Sequence, residues 1–317
     1  MKKLIIYLFG ILVCTSVLGQ RNQNGYQGNR KFLLRDEGLS QVSYINLDDS
    51  TSNWQVKVPV GRDLQLIGGG KVLVSTGNGY EELDIRSGKK LKKVTNYPGA
   101  VMARRLKNGN TLLAGLNMEG KKGAVLLEVA ADGTKKKVLN FPDYDYIRVV
   151  RPTSKGTYLV TANTKVFESD ADGKIIWKAE LAGPKKINSW QALRLPKGRT
   201  LVSTGYAANF QLFAKDGRPL KTFTAPKEFN PNFFSGFQVL ANGNYLVSNW
   251  QGHGPDLGKS GYQLLEFNPD GELVWSWKQD SAKFSSLQGV IALDGLNTDY
   301  LYIEGKKGTL KKAGKGI

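Results

Sequence analysis

Lys107-Asn108-Gly109-Asn110-Thr111-Leu112-Leu113 reads as a glycine turn that runs straight into an apolar strand. Glycine supplies the positive φ that a tight turn needs, and the residues behind it favour extended backbone. The strand pattern returns as Phe32-Leu33-Leu34, Val72-Leu73-Val74, Tyr158-Leu159-Val160, Thr200-Leu201-Val202 and Tyr245-Leu246-Val247. The anchor leucines Leu33, Leu73, Leu112, Leu159, Leu201 and Leu246 stand 40, 39, 47, 42 and 45 residues apart. A period of that size means one supersecondary unit used repeatedly, and it outranks readings of single residues.

The copies share their punctuation. Glycine turns lead into the leucine strand at Lys155-Gly156, Lys197-Gly198 and Ala241-Asn242-Gly243-Asn244, and a second apolar strand follows, as in residues 125–129 and 264–267. Hairpin turns come next at Asp132-Gly133, Asp172-Gly173, Asp216-Gly217 and Asp270-Gly271, with Ser87-Gly88 in the matching place. Strand, turn, strand, turn at this spacing is a four-stranded propeller blade. The first copy starts near Lys31 without an innermost strand, and residues 287–293 supply an orphan strand at the other end. The reading is therefore an all-β, six-bladed β-propeller closed by pairing of the N- and C-terminal strands, a single domain over residues 20–317. No window of helical length carries a sustained 3.6-residue apolar period.

Composition agrees with a folded chain: 317 residues, 40% hydrophobic, 23% charged and 37 glycines exclude disorder, collagen and coiled coil. Lys2 and Lys3, the apolar residues 4–13 and small or uncharged residues through Gly19 follow the order of a secretory signal peptide over residues 1–19. The apolar run is too short to span a bilayer, so no transmembrane segment is expected. Cleavage near Gly19 would export the chain to the periplasm or beyond. The only cysteine, Cys14, lies inside that leader, which leaves no disulfide and no thiolate chemistry. Ile11-Leu12-Val13-Cys14 could be a lipid-attachment box, but Val13 is bulky where a small residue is wanted, so lipoprotein anchoring is not favoured. A net charge of +18, reduced by two with Lys2 and Lys3 removed, favours anionic partners, set against a simply solvated lysine-rich exterior. Nucleic acid is disfavoured for an exported chain without a recognition motif.

Gly173-Lys174-Ile175-Ile176-Trp177 and Gly271-Glu272-Leu273-Val274-Trp275 end hairpins on a tryptophan, and Trp54 sits comparably after Asp49-Ser50. With the Asn-Gly-Asn-Thr-Leu turns, this ending resembles the pyrroloquinoline-quinone-like (quinoprotein dehydrogenase-like) propeller repeats and the arylsulfotransferase-like branch of exported bacterial propellers. The resemblance spans nearly the whole mature chain and implies the fold. Active arylsulfotransferases use several histidines, whereas His253 is the only one here; quinone-dependent dehydrogenases of the eight-bladed type need more blades and often a vicinal cysteine pair. No cofactor is therefore assigned, and the tryptophans are read as packing between blades.

Candidate ligand contacts fall in two places. The loop Asn249-Trp250-Gln251-Gly252-His253-Gly254-Pro255-Asp256 presents an indole and an imidazole together on glycine-rich backbone. Trp250 can stack on a ring, while Gln251 and His253 can hydrogen-bond, and His253 can ligate or transfer a proton. The linkers entering the inner strands carry Tyr97, Tyr144, Tyr146, Trp190 with Gln191, Phe233 to Gln238 and Gln288. Of these Trp190, Gln191, Phe237, Gln238 and Gln288 join the candidate site, because aromatics alternating with amides suit a polar, ring-bearing ligand. Arginines on inner strands could receive a carboxylate or sulfate, with Arg62, Arg104 and Arg148 favoured over Arg105 and Arg151, although strand register decides which side chains point inward. No metal site is assigned, and hydrolase, metalloprotease and phosphate-loop motifs are lacking.

The sequence thus points to an exported propeller that binds a small-molecule or glycan ligand of anionic or carbohydrate-like character on its loop face. The alternatives are a transferase- or lyase-type enzyme using His253 with channel arginines, and a scaffold for another envelope protein.

Overall fold

A computed structural model of the chain describes residues 30–183 and 186–315, so the expected leader and Cys14 lie outside the described residues. The first repeat forms β1 (Lys31–Asp36), β2 (Gln41–Asn46) and β3 (Trp54–Lys57). The second forms β4 (Leu64–Gly68), β5 (Lys71–Thr76), β6 (Gly79–Asp84) and β7 (Lys90–Val94). β8 (Ala100–Arg105), β9 (Thr111–Leu116), β10 (Ala124–Val129) and β11 (Lys135–Phe141) follow. The fourth repeat is β12 (Val150–Pro152), β13 (Tyr158–Ala162), β14 (Lys165–Ser169) and β15 (Ile175–Glu180). Next come β16 (Ile187–Arg194), β17 (Thr200–Gly205), β18 (Phe210–Phe213) and β19 (Pro219–Phe223), then β20 (Phe234–Val239), β21 (Tyr245–Asn249), β22 (Leu264–Phe267) and β23 (Leu273–Trp277). The chain ends on β24 (Leu287–Ala292) and the hairpin β25 (Tyr300–Glu304) and β26 (Leu310–Lys315).

The arrangement is all-β and propeller-like, but the hydrogen bonding departs from six separate four-stranded sheets. There are five sheets among the described residues: three of four strands, one of six and one of eight. Two small contacts cause the difference. A single pair, Gly205 opposite Phe234, joins the sheets of β17 and β20. Leu301 opposite Ile67 attaches the terminal hairpin to β4. β24 pairs antiparallel with β1 from Phe32 opposite Ala292 to Asp36 opposite Leu287, with a register shift between Arg35 and Asp36.

The leucine strands are buried throughout: Leu33, Leu73, Leu112, Leu159, Leu201 and Leu246 are all inaccessible or nearly so. Outer strands such as β7 and β19 are mostly exposed and lysine-bearing, which keeps free sheet edges charged. The residue after the leucine-valine pair has a separate task. Ser75 Oγ accepts from the backbone N–H groups of Arg62 (2.9 Å) and Asp63 (2.8 Å). Thr161 Oγ1 accepts from Val149 N–H at 3.0 Å, Ser203 Oγ donates to the Ser235 carbonyl at 2.7 Å, and Ser248 Oγ donates to the Gly236 carbonyl at 2.9 Å. These hydroxyls satisfy polar backbone where the innermost strands begin irregularly, and so fix the linkers that line the channel mouth.

Neighbouring sheets are held together by two further devices. Glutamine amides stand in for missing strand pairing: Gln238 accepts from Ala292 N–H at 2.8 Å, and Gln65 accepts from Arg105 N–H at 2.7 Å while donating to the Tyr302 carbonyl at 3.0 Å. On the outer side, Glu82, Glu168 and Glu266 each take an arginine from the sheet alongside: Arg105 at 2.8 Å, Arg194 Nε at 3.0 Å and Arg30 at 2.7 Å. Trp177 lies over the Arg194 guanidinium at 4.1 Å and Trp275 over Arg30 at 3.9 Å, while Trp54 Nε1 donates to the Ile85 carbonyl at 2.8 Å. The hairpin-ending tryptophans therefore pack between sheets, as the repeat suggests.

Because Glu266 is buried and also accepts from Asn244 at 2.6 Å, replacing it strands two donors rather than one. Glu266→Ala should cost about 3 kcal/mol in urea unfolding, the scale expected when one partner of a buried pair is removed. Lys283→Ala, which gives up only an exposed side-chain pair with Asp280, should leave the midpoint where it is.

Candidate ligand site at the channel mouth

Each innermost strand contributes one residue at its entrance to a common cavity: Arg62, Val101, Arg148, Trp190, Phe233 and Gln288. Loop residues Glu37, Tyr206, Trp250 and His253 raise its walls, and the enclosed volume is about 170 Å³. The cavity thus unites the two stretches that the sequence singles out, the inner-strand linkers and the glycine-rich loop.

Two guanidiniums dominate its electrostatics. Arg148 lies over Tyr146 at 4.4 Å and over Trp190 at 4.9 Å, and Arg62 approaches the same two rings at 5.7 and 5.9 Å. Arg62 Nη1 donates to the Ile147 carbonyl at 2.6 Å. Among the described residues neither arginine has a carboxylate within ion-pairing distance. Burial lowers Arg62 to a pKa of about 10, and burial first and the charge of Arg62 second lower Arg148 to about 9. Each cation–π contact returns roughly 1–2 kcal/mol, against several for desolvating an ion, so the rings offset only part of the cost. With their faces covered, the guanidiniums retain N–H groups that no carboxylate among the described residues takes.

Another part of the lining is an acid–base pair. His253 Nδ1 lies 2.9 Å from Glu37 Oε1, and Trp250 Nε1 donates to Glu37 Oε2 at 3.1 Å. The His253 side chain is 77% exposed at the rim, with its ring edge-on to Trp250 at 4.7 Å. Trp250, only 5% exposed, packs edge-to-face with Phe233, which does the same with Trp190 and with the more exposed Tyr206. The indoles therefore present cavity wall and not open stacking platforms.

The remaining expected contacts lie elsewhere. Arg104 belongs to a closed network deeper in the channel: it donates to Asp63 at 3.1 Å and to Glu304 at 2.8 Å, while Arg151 reaches Asp63 at 2.8 Å and Glu304 at 3.0 Å. Two guanidiniums against two carboxylates leave no charge for a ligand there, and the space beside them is only about 40 Å³. Gln191 accepts from Arg151 at 3.0 Å and donates to the Phe237 carbonyl at 2.6 Å, so its amide is occupied, as is that of Gln238. Phe237 is core, 5.0 Å edge-on to Phe210. Gln251 holds its own loop through Asn249 and Asn230 and does not line the mouth. Sequence reading missed Glu37, which sits 216 positions from His253, and Tyr206 as a wall. Among the described residues no trio of His, Cys, Asp or Glu gathers to hold a metal.

No family model matches the chain, and the search of curated proteins returned no match. Among solved structures, a protein of unknown function from Bacteroides caccae is 24% identical over 84% of this chain and 99% of its own, with a TM-score of 0.65. Virginiamycin B lyase from Staphylococcus aureus shares 12% identity over 90% and 89% of the two chains at a TM-score of 0.54. A calcium-binding regucalcin from Agrobacterium tumefaciens shares 15% over 82% and 97%, also at 0.54. These likenesses show a propeller-like all-β fold.

Because an anion requires the protonated guanidinium, its affinity should be flat through neutral pH and fall roughly tenfold per unit once pH passes the free-state value of about 9 for Arg148. A sulfate titration followed by tryptophan fluorescence, repeated across that range at fixed ionic strength, reads this directly.

Proposed function

We propose that the chain is an exported propeller that binds a small anionic, ring-compatible ligand at the channel mouth. The observation that carries this reading is the pair Arg62 and Arg148, half-buried in one cavity, lowered in pKa and without a carboxylate among the described residues. A protein gains no stability from two like charges held so close, and an anionic ligand supplies what the cavity wants. The overall basic charge steers the same class of molecule.

Six four-stranded units account for the five sheets: the eight-stranded sheet divides at its single Gly205–Phe234 pair, and the terminal hairpin is an addition to the sheet of β4 to β7. In this reading β24 beside β1 completes the ring. Export after cleavage near Gly19 rests on Lys2, Lys3 and the apolar residues that follow.

A second reading, elimination or transfer chemistry, draws support from His253 and Glu37. A carboxylate on Nδ1 orients an imidazole whose Nε2 can exchange protons, and it lines the same cavity as Arg62 and Arg148.

The anion reading is tested by a thermal-shift titration with sodium sulfate against sodium chloride at equal ionic strength. The parent should gain stability with sulfate. Arg148→Met should lose that gain while melting no lower than the parent in its absence, because an unpaired buried charge has been removed. A sulfate response that survives in Arg148→Met refutes the reading.

A further inference from the structure

At the exits of β12 and β16, the ends of those strands away from the mouth, lies a larger recess of about 600 Å³. Four separate turns bring five lysines to it: Lys155 between β12 and β13, Lys197 between β16 and β17, Lys215 between β18 and β19, and Lys306 with Lys307 at the tip of the terminal hairpin. All five are exposed. Among the described residues no carboxylate lies within ion-pairing distance of their ammonium groups, and the one carboxylate in the lining, Glu168, is already taken by Arg194. The recess therefore carries a concentrated positive field that nothing in its own lining balances.

Its floor is apolar. Ile176, on the outermost strand β15 of its sheet, is 52% exposed, and Trp177, Leu195 and Pro196 continue the surface. Single exposed apolar side chains are ordinary on a protein, but an apolar floor inside a charged rim is the anatomy of an interface. The one aromatic ring in the lining, Trp177, has the Arg194 guanidinium over it at 4.1 Å. The floor thus offers aliphatic side chains more than an open flat face for a sugar ring. A compact inorganic anion would answer the lysines and leave the floor wet. A chain that combines several carboxylates with a bulky apolar side chain answers both, and four turns spread the positive charge along a length instead of gathering it at one point.

We propose that this recess docks an acidic, extended segment of a partner polypeptide, its carboxylates against the five lysines and one bulky apolar side chain on Ile176 and Trp177. The docking surface is separate from the mouth cavity and does not depend on what binds there.

Fluorescence anisotropy of the purified chain at physiological ionic strength tests this with three labelled probes: an octapeptide of six glutamates around a central Leu-Phe, octaglutamate, and octagalacturonate. The Leu-Phe peptide should bind about tenfold tighter than either of the others, the scale set by burying one apolar side chain. Lys306→Glu combined with Lys307→Glu should weaken it by about tenfold or more, while Lys121→Glu with Lys122→Glu, an equal change of charge on exposed residues outside the recess, should leave it within about twofold. Ile176→Ser should erase the advantage of the Leu-Phe peptide over octaglutamate and leave octaglutamate itself unchanged. Arg148→Met, which removes a cation from the mouth, should leave this binding as it is, so the two sites stand or fall separately. Equal weakening by the two double charge reversals would reduce the binding to overall charge and overturn the proposal. Octaglutamate matching the Leu-Phe peptide in the parent overturns it too, and octagalacturonate binding tighter than the peptide through Lys306 and Lys307 gives the recess to an acidic glycan instead.

Discussion

The pairing of β1 with β24 is the constraint on which the rest depends, because it sets two strands some 250 positions apart side by side and builds half of the candidate site there. Asp36, at the end of β1, accepts from the backbone N–H groups of Ser285 and Ser286 at 2.7 and 3.1 Å. Glu37 N–H then donates to the Ser286 carbonyl at 2.9 Å, which sets the carboxylate that holds both Trp250 and His253. Ser286 Oγ in turn accepts from Gln251 and Gly252, and Ser285 Oγ donates to the Gly254 carbonyl at 2.6 Å. A loop rich in glycine has little conformational preference of its own. Here its shape is imposed by two serines on the entrance to the last inner strand.

Below the mouth the channel is closed by charge compensation rather than by packing alone. Asp63 and Glu304 neutralise Arg104 and Arg151, and Glu304 arrives on the terminal hairpin, whose Thr309 also bridges to Val239. The contrast with the mouth is instructive. The same residue type at neighbouring levels is ion-paired in one layer and, among the described residues, stacked on aromatic rings without a counter-ion in the next. Since breaking a buried pair costs several kcal/mol, the lower layer is structural and rigid. The upper layer is the one proposed to bind an anion.

The repeat was legible because it is local: a glycine turn, a leucine strand and a hairpin turn lie within each stretch of about forty residues. So was the neighbourhood of the site, since entrances to inner strands converge wherever such units are arranged radially. What the sequence could not assign was direction. Arg104 and Arg148 look alike as arginines near inner strands, and only register separates a closed ion network from an open cavity. Gln191 and Gln238 read as ligand contacts because amides suit polar ligands, but diverging inner strands leave backbone groups that the same amides serve. Glu37 carried no local signal, since its partners come from the far end of the chain. The hairpin of β25 and β26 follows no part of the repeat, so nothing in the sequence pattern announced that Leu301 and Tyr302 are buried on the second sheet.

An anion seat between Arg62 and Arg148 is the central proposal for the mouth cavity. Crystals soaked in selenate and measured at the selenium edge locate it without any choice of organic ligand. An anomalous peak within hydrogen-bonding distance of both guanidiniums is the predicted result. Density at the exposed lysines alone, with the space between these two arginines holding only water, would contradict it.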